Sequence, residues 1–393
     1  MKINLKPDPP FLRILFVLEA PHPWLLGGAE RHALRLAREY ERQGHMAEFV
    51  TPVPRTWKDT VIKERGQCVH CLSIPLRHEH AWFKRLFYLR LCWFLFIYRH
   101  HYDLVDLHLI GTTAFILTLI KHLRKPSFLK INSIANWTFL KSKLDIRHIR
   151  LPALLGMHDV TGYLVLSRYL RRTLILDGIP GKRIHYIPDG IDTVWREPNR
   201  AKWRNECGIA LDVPVILYAG RFVPPKNLGL LIQAFDRISR ICPDAVLVML
   251  GDGPLMPNIR ILVNKLELSD KIYFRGIVDN VRDYMLAADI FVLPSDIEGC
   301  PNALLEAMAS RLACVATRFD GADEIIDHDR NGCLVEKGDV RTLGALLNEL
   351  IDDPQRRERL GNAARQTVLK NFDIKNIAAH YISTYHSLSI RHR

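Results

Sequence analysis

The 393-residue chain predicts two successive α/β domains, each a doubly wound parallel sheet. Three observations carry that expectation. Short apolar runs alternate with stretches of helical periodicity along nearly the whole chain. The rhythm breaks once, around residues 188–212, and then restarts in the same form. The length suits about two domains of ordinary size, and 48% hydrophobic with 25% charged residues is the composition of a globular protein. No low-complexity tract or short fixed repeat competes with this reading.

Taken in order, the first apolar run, Phe11 to Glu19, is a buried strand centred on 13–18. Arg13 interrupts it and no small-residue cleavage site follows, so it does not read as a signal peptide. Gly27-Gly28 then makes a turn, and residues 29–42 place Ala33, Leu34, Ala37 and Tyr40 at helical spacing. Further strands fall at 104–107 and 162–166. The turn-rich Pro188-Asp-Gly-Ile-Asp192 and the polar segment from Glu197 to Lys202 read as the connection. Domains are therefore expected at 1–190 and 191–371. In the second, strands are expected at 213–218, 245–250 and 290–293, with a helix at 228–239.

The net charge of +13 is unevenly placed: residues 1–190 carry 29 basic against 15 acidic side chains, and the remainder 26 against 27. A basic half suits nucleic acid, anionic lipid or an anionic substrate. No nucleic-acid-binding module signature appears, and nucleic acid is not an expected partner. The most apolar stretch, Leu86 to Tyr98, contains Arg90 and falls short of the roughly 20 apolar residues that a bilayer span needs. The expectation is a cytoplasmic protein, peripheral at most to the inner face of a membrane. The segment from Trp82 to Tyr98 mixes aromatic, aliphatic and basic residues. It reads either as an interfacial helix, with Lys84, Arg85 and Arg90 near anionic headgroups, or as a core helix flanked by solvated bases. The eight cysteines are dispersed, as reduced thiols are. Cys68 and Cys71 have metal-like spacing with His78 and His80 downstream, but no second cysteine pair follows. They are expected to be buried free thiols, and no metal site is expected.

Four features of the second half converge on an anionic ligand. Gly220-Arg221 ends a strand and Lys226 follows, placing two fixed cations where a diphosphate would bind. Pro294 to Glu306 joins a strand to a helix, with Pro301 suited to its first turn. The amides of Asn302, Ala303 and Leu304 would then point at phosphate. Glu298 and Glu306 do not suit phosphate, but they suit hydroxyls of sugar and ribose as acceptors. Phe319-Asp-Gly-Ala-Asp-Glu324 reads as another strand-to-helix turn, with Gly321 allowing close backbone approach. Gly251-Asp-Gly253 is a further glycine turn, and structural.

With these residues the chain resembles the retaining glycosyltransferases of family 4, also called group 1, which have the GT-B fold. The resemblance rests on Gly220-Arg-Phe-Val-Pro-Pro-Lys226 and on Glu298-Gly-Cys-Pro-Asn-Ala-Leu-Leu-Glu306, and runs through nearly the whole chain. It implies two Rossmann-like domains facing across a cleft, with a terminal segment, 372–393, crossing back to the first. It also implies that Arg221 and Lys226 hold the donor diphosphate, Glu298 touches the transferred sugar and Glu306 the ribose. Gly27-Gly28 resembles the loop near donor phosphate or acceptor, and His108 falls where the family has a histidine beside the donor sugar. Asp320, Pro225, Asn227 and Cys300 depart from the usual pattern, and residues 125–150 match poorly.

The expected function is transfer of a hexose-type sugar from a UDP- or GDP-type donor to a hydroxyl of a glycan or lipid-linked acceptor, in envelope polysaccharide, lipopolysaccharide or glycolipid synthesis. By the resemblance the anomeric configuration is retained, and no protein nucleophile is assigned. No Asp-x-Asp stands beside the cations, so neither metal nor cofactor is expected. An inverting reaction would instead need a base, for which His108 is the candidate. A GT-B epimerase or phosphorylase, or a non-catalytic nucleotide-sugar binding protein, are the alternatives.

Overall fold

The computed structural model describes residues 11–20, 27–54, 58–78, 80, 82–108, 113–144, 159–193 and 200–389. Its contacts divide the chain into two units. One comprises residues 1–190 with 374–393, and the other residues 191–373.

The strands of the first unit are β1 (Arg13–Leu18), β2 (Met46–Pro54), β3 (Thr60–Glu64), β4 (Gln67–Ile74), β5 (Leu104–His108), β6 (Ser127–Ile131), β7 (Gly162–Val165) and β8 (Ile184–Tyr186). They form one sheet in the order β3-β4-β2-β1-β5-β6-β7-β8. All pairings are parallel except β3 with β4. Strands such as Arg-Ile-Leu-Phe-Val-Leu read as continuous apolar runs because both sheet faces are covered. On one face lie α1 (Gly28–Arg42) and the closing helix, through Ile374, Ile377, Ala378, Tyr381, Ile382 and Tyr385. The other face carries α2 (Phe83–Ile97), α3 (Thr113–His122), α4 (Ile134–Leu144) and α5 (Arg168–Leu176). Residues 374–389 are thus part of the first unit's core. Residues 145–150 of the poorly matching stretch lie outside the described residues.

The second unit begins in the stretch that sequence reads as connection. Residues 194–199 lie outside the described residues, but Arg200–Cys207 forms α6. The reason is Arg204, which is fully buried. Its guanidinium donates to the carbonyls of Ala287, Ala210, Leu211 and Val213 and pairs with Asp289 at 2.7 Å. Five acceptors in one fork convert a polar stretch into an ordered element. The strands that follow are β9 (Val215–Ala219), β10 (Val246–Leu250), β11 (Ile272–Gly276), β12 (Ile290–Leu293), β13 (Ala313–Thr317) and β14 (Cys333–Val335). They pair in the order β11-β10-β9-β12-β13-β14, all parallel. The helices are α7 (Leu228–Ile241), α8 (Met256–Lys265), α9 (Val281–Ala287), α10 (Asn302–Ala309), α11 (Val340–Asp352) and α12 (Pro354–Asn371), with α13 (Ile374–Ser389) returning to the first unit. Among the described residues no helix is long and apolar enough to cross a membrane.

Candidate active site

Among the parallel strands of each sheet the order reverses once: between β1 and β5 in the first unit, and between β9 and β12 in the second. At such a point the loops leaving adjacent strands diverge to opposite faces and open a crevice at the strands' carboxyl ends. The site residues expected from sequence fall at these two places.

In the second unit, the turn after β9 carries Gly220, Arg221 and Lys226, and the loop after β12 carries Glu298 and α10. Lys226 Nζ donates to Glu298 Oε1 at 2.5 Å, so the cation and the first glutamate form an ion pair. Glu298 is nearly buried in that pair and Lys226 keeps about a quarter of its side chain exposed. Two further bonds bind the loops together: Asn227 Nδ2 to Asp296 Oδ1 at 3.1 Å, and the Asp296 amide to the Pro225 carbonyl at 2.9 Å. Asn227 sits at φ 44°, the left-handed region that glycine enters freely and asparagine tolerates. That geometry accounts for an asparagine where the family commonly has glycine. Arg221 is exposed, and its carbonyl accepts the Tyr218 hydroxyl at 3.1 Å.

The glycines explain the shape of the turn. A Cβ on Gly220 would lie 2.6 Å from the Tyr218 hydroxyl. Gly251, at φ 123°, would place a Cβ 1.9 Å from the Gly220 carbonyl oxygen, and Gly253 would meet the Phe222 backbone at 2.4 Å. The Gly-Asp-Gly turn after β10 is therefore the floor on which residues 220–222 rest. The amides of Gly220 and Phe222 donate to Leu250 and Asp252.

Pro301 lies one position earlier than the sequence places it. It is the N-cap of α10 rather than a residue of its first turn, with ψ 106° and no side-chain cap. The Leu304 amide donates to the Pro301 carbonyl at 3.0 Å, so it is already engaged. The amides of Asn302 and Ala303 occupy the positions that a helix cannot satisfy from within. Glu306 lies half-buried within α10. The Phe319–Glu324 turn leads into no α-helix. It closes as a single 3-10 turn, Ala322–Glu324, after Gly321 at φ 92°, and the next element is β14.

In the first unit, Gly27 caps α1 in extended conformation and Gly28 opens it. His108 ends β5, paired in register with Leu18. Its side chain is 3% exposed, packs edge-on to Phe16 with ring centroids 5.7 Å apart, and lies 3.5 Å from Asp106 Oδ1. Among the described residues neither ring nitrogen of His108 has a hydrogen-bond partner, nor has Asp106 Oδ1. Tyr385 of α13 donates to Asp106 Oδ2 at 2.6 Å.

Sequence reasoning missed a second buried cluster beside this histidine. Lys130, fully buried on β6, donates to Asp189 at 2.8 Å and faces His32 Nδ1 at 2.9 Å. The Gly190 amide donates to His32 Nε2, which places the neutral ring's proton on Nδ1, 3.1 Å from Asp189. Burial, reinforced by Lys130, holds His32 well below the usual imidazole range. The only sequence signal was a lysine inside the apolar run Phe128-Leu-Lys-Ile131.

With this geometry in place, comparison with known proteins identifies the lineage. The family model described as Glycosyltransferase Family 4 matches residues 26–195, and that described as Glycosyl transferases group 1 matches residues 199–367. Over 210 residues the chain is 30% identical to the N-acetyl-alpha-D-glucosaminyl L-malate synthase of Bacillus anthracis, covering 53% of this chain and 55% of that protein. Over 219 residues it is 30% identical to a GDP-mannose-dependent alpha-(1-6)-phosphatidylinositol monomannoside mannosyltransferase of Mycolicibacterium smegmatis, covering 53% and 57%. The matched part thus spans little more than half the length of these relatives. The crystal structure of Anabaena HepE in complex with UDP-glucose superposes with a TM-score of 0.77 at 19% identity, over 96% of this chain and all of that one. At that identity the likeness concerns the fold. Two family models dividing the chain at its connection, together with two parallel sheets of this topology, place the protein in a lineage: it belongs to the family 4, or group 1, glycosyltransferases of the GT-B fold.

Proposed function

We propose that the protein transfers a hexose-type sugar from a nucleoside diphosphate donor to a hydroxyl of a glycan or lipid-linked acceptor, with retention at the anomeric carbon. The observation that carries this is the Lys226–Glu298 pair at the strand-order reversal of the second unit, beside the N-terminus of α10. Departure of a nucleoside diphosphate builds negative charge on its terminal phosphate. Arg221, Lys226 and the first amides of α10 supply a fixed positive field for that charge. On donor binding Lys226 turns from Glu298 to phosphate, and Glu298 is released to accept hydroxyls of the transferred sugar. Glu306 serves the ribose in the same way. Gly27 and Gly28 give backbone access to the donor or acceptor, and His108, whose buried ring nitrogens have no hydrogen-bond partner among the described residues, contacts the sugar. The retaining course needs no protein nucleophile, because the departing phosphate takes the acceptor's proton. No metal or cofactor takes part in this scheme. The relatives named above use donors of the GDP-mannose type or form glucosaminyl products, and a UDP- or GDP-sugar fits the same cradle.

The acceptor reading rests on α2. One stripe of that helix, Phe83, Phe87, Tyr88, Leu91 and Leu95, is buried on the sheet. The opposite stripe exposes Trp82, Leu89, Trp93, Phe96 and Ile97 to solvent. Arg85 lies over the Trp82 ring and Arg99 over Phe96, so cations flank the aromatic face. A stripe of this kind seats in the headgroup region of an anionic bilayer. We place the protein on the cytoplasmic face of such a membrane, where a lipid-linked acceptor would be met.

The test is thermal stabilisation of the purified protein by UDP, GDP, ADP and CMP, wild type beside Lys226→Ala, followed by NMR of the product's anomeric configuration. Stabilisation by one diphosphate, lost in the variant, supports the donor site. No stabilisation of folded wild type by any of them overturns it, and an inverted product overturns retention.

A further inference from the structure

A second cluster of chemically active side chains lies at the opposite end of the first sheet from the ligand loops. Glu48 is the third residue of β2 and Cys68 the second of β4, so both stand near the strands' amino ends. Parallel pairing sets Glu48 directly beside Cys68, and the two-residue alternation of a strand puts His70 on the same face. His70 Nε2 lies 3.0 Å from Glu48 Oε2 and 3.9 Å from Cys68 Sγ, and the three donor atoms all fall within 4.8 Å of one another. Glu48 and His70 are buried and Cys68 is half-buried.

We propose that Glu48, Cys68 and His70 form a zinc site that clamps β4 to β2. The donor set selects the ion: one thiolate, one imidazole and one carboxylate suit zinc, whereas calcium and magnesium seek oxygen alone. The spacing also fits. Tetrahedral zinc, with bonds of about 2.0 Å to nitrogen or oxygen and about 2.3 Å to sulfur, sets its ligands about 3.3–3.6 Å apart. Moving the observed 3.0 and 3.9 Å to those values takes side-chain shifts of a few tenths of an ångström, and the Glu48–Cys68 separation, within 4.8 Å, closes by at most about 1.3 Å.

The surroundings hold the ligands in place. The His70 ring lies against Phe94 and Tyr98, with centroids 5.1 and 4.8 Å away, which fixes its plane. Tyr98 donates its hydroxyl to Glu48 Oε2 at 2.9 Å, the outer hydrogen bond that orients a metal-binding carboxylate. The fourth position opens beside the accessible flank of Cys68 and takes water. Zinc bound here ties three segments together, β2, β4 and the end of α2, at a distance in sequence that no local motif links. Cys71, three residues on from Cys68, faces the other side of β4 and packs in the opposite core layer. The pair that looks metal-like in sequence is therefore split by the pleat, and His78 and His80 are exposed.

The test uses the full chain, freed of any histidine tag and dialysed against chelator, titrated with cobalt(II) and then zinc. One equivalent of cobalt is expected to give a thiolate-to-metal charge-transfer band that zinc bleaches, and zinc is expected to raise the melting temperature. Cys68→Ser should remove both effects and Cys71→Ser neither. Tyr98→Phe should weaken zinc by about tenfold. Absence of the band in wild type, or its survival in Cys68→Ser, overturns the proposal. Should Cys68→Ser not fold, Glu48→Gln decides: unchanged zinc affinity in that variant also overturns it.

Discussion

Lys130→Met tests whether the buried cluster behind the glycine turn holds the first unit together. Lys130 and Asp189 have side chains 0% and 4% exposed and meet at 2.8 Å. The methionine fills most of the lysine's volume but leaves the Asp189 carboxylate buried with, among the described residues, only the His32 ring as partner. Removing one member of a buried ion pair costs about 3–5 kcal/mol, mostly as the penalty of the stranded charge. At 1.4 kcal/mol per tenfold, amides that open with this unit should exchange about 140- to 3700-fold faster. Hydrogen exchange read by mass spectrometry on peptides covering 127–131 and 184–191 reports the change, and residues 246–250 of the second unit serve as an unchanged reference. Asp189→Asn in the Lys130→Met background removes the stranded charge and should recover at least about 2 kcal/mol. Acceleration below about fivefold in the single variant, or a double variant as unstable as the two singles summed, refutes the argument.

Gly251→Ala should displace the Gly220 turn, because its Cβ would sit 1.9 Å from the Gly220 oxygen at φ 123°. Nucleotide-induced thermal stabilisation is expected to fall by at least about tenfold in apparent affinity, more than a lost glycine's entropy explains. Acid should weaken the first unit before the second. Burial holds His32, His45, His185 and His386 below their usual values, and all four lie in the first unit. Since the unfolded chain then binds more protons, stability present above about pH 6.5 is lost as pH falls below it, by up to about 1.4 kcal/mol per pH unit for each histidine whose folded value lies lower still. Exchange of first-unit peptides at pH 5.5 against 7.5, corrected for intrinsic rates, reads this, and equal sensitivity of both units would contradict it. Trp93→Glu on the exposed face of α2 should abolish sedimentation with anionic vesicles and leave nucleotide binding intact. Wild type that ignores anionic vesicles would remove the membrane reading.

Local sequence was enough to read the elements and to name the residues of the second unit's candidate site. Apolar runs such as Phe-Val-Leu at 291–293 bury both faces of a parallel strand, and that requirement is written locally as continuous hydrophobicity. Gly220 to Lys226 and Glu298 to Glu306 are likewise contiguous, so their spacing is visible before folding. Strand ends were legible to within about two residues, and Pro301 to within one, because caps depend on backbone angles that propensity does not fix. Only the tertiary structure decided what lies across strands. It makes Lys226 and Glu298, 72 residues apart, a pair by setting β12 beside β9. It turns an apparent linker into α6 through Arg204, whose acceptors come from two segments, 210–213 and 287–289. It separates Cys68 from Cys71 and joins Cys68 to Glu48 instead, since strand parity and sheet order, neither of them local, choose a residue's neighbours.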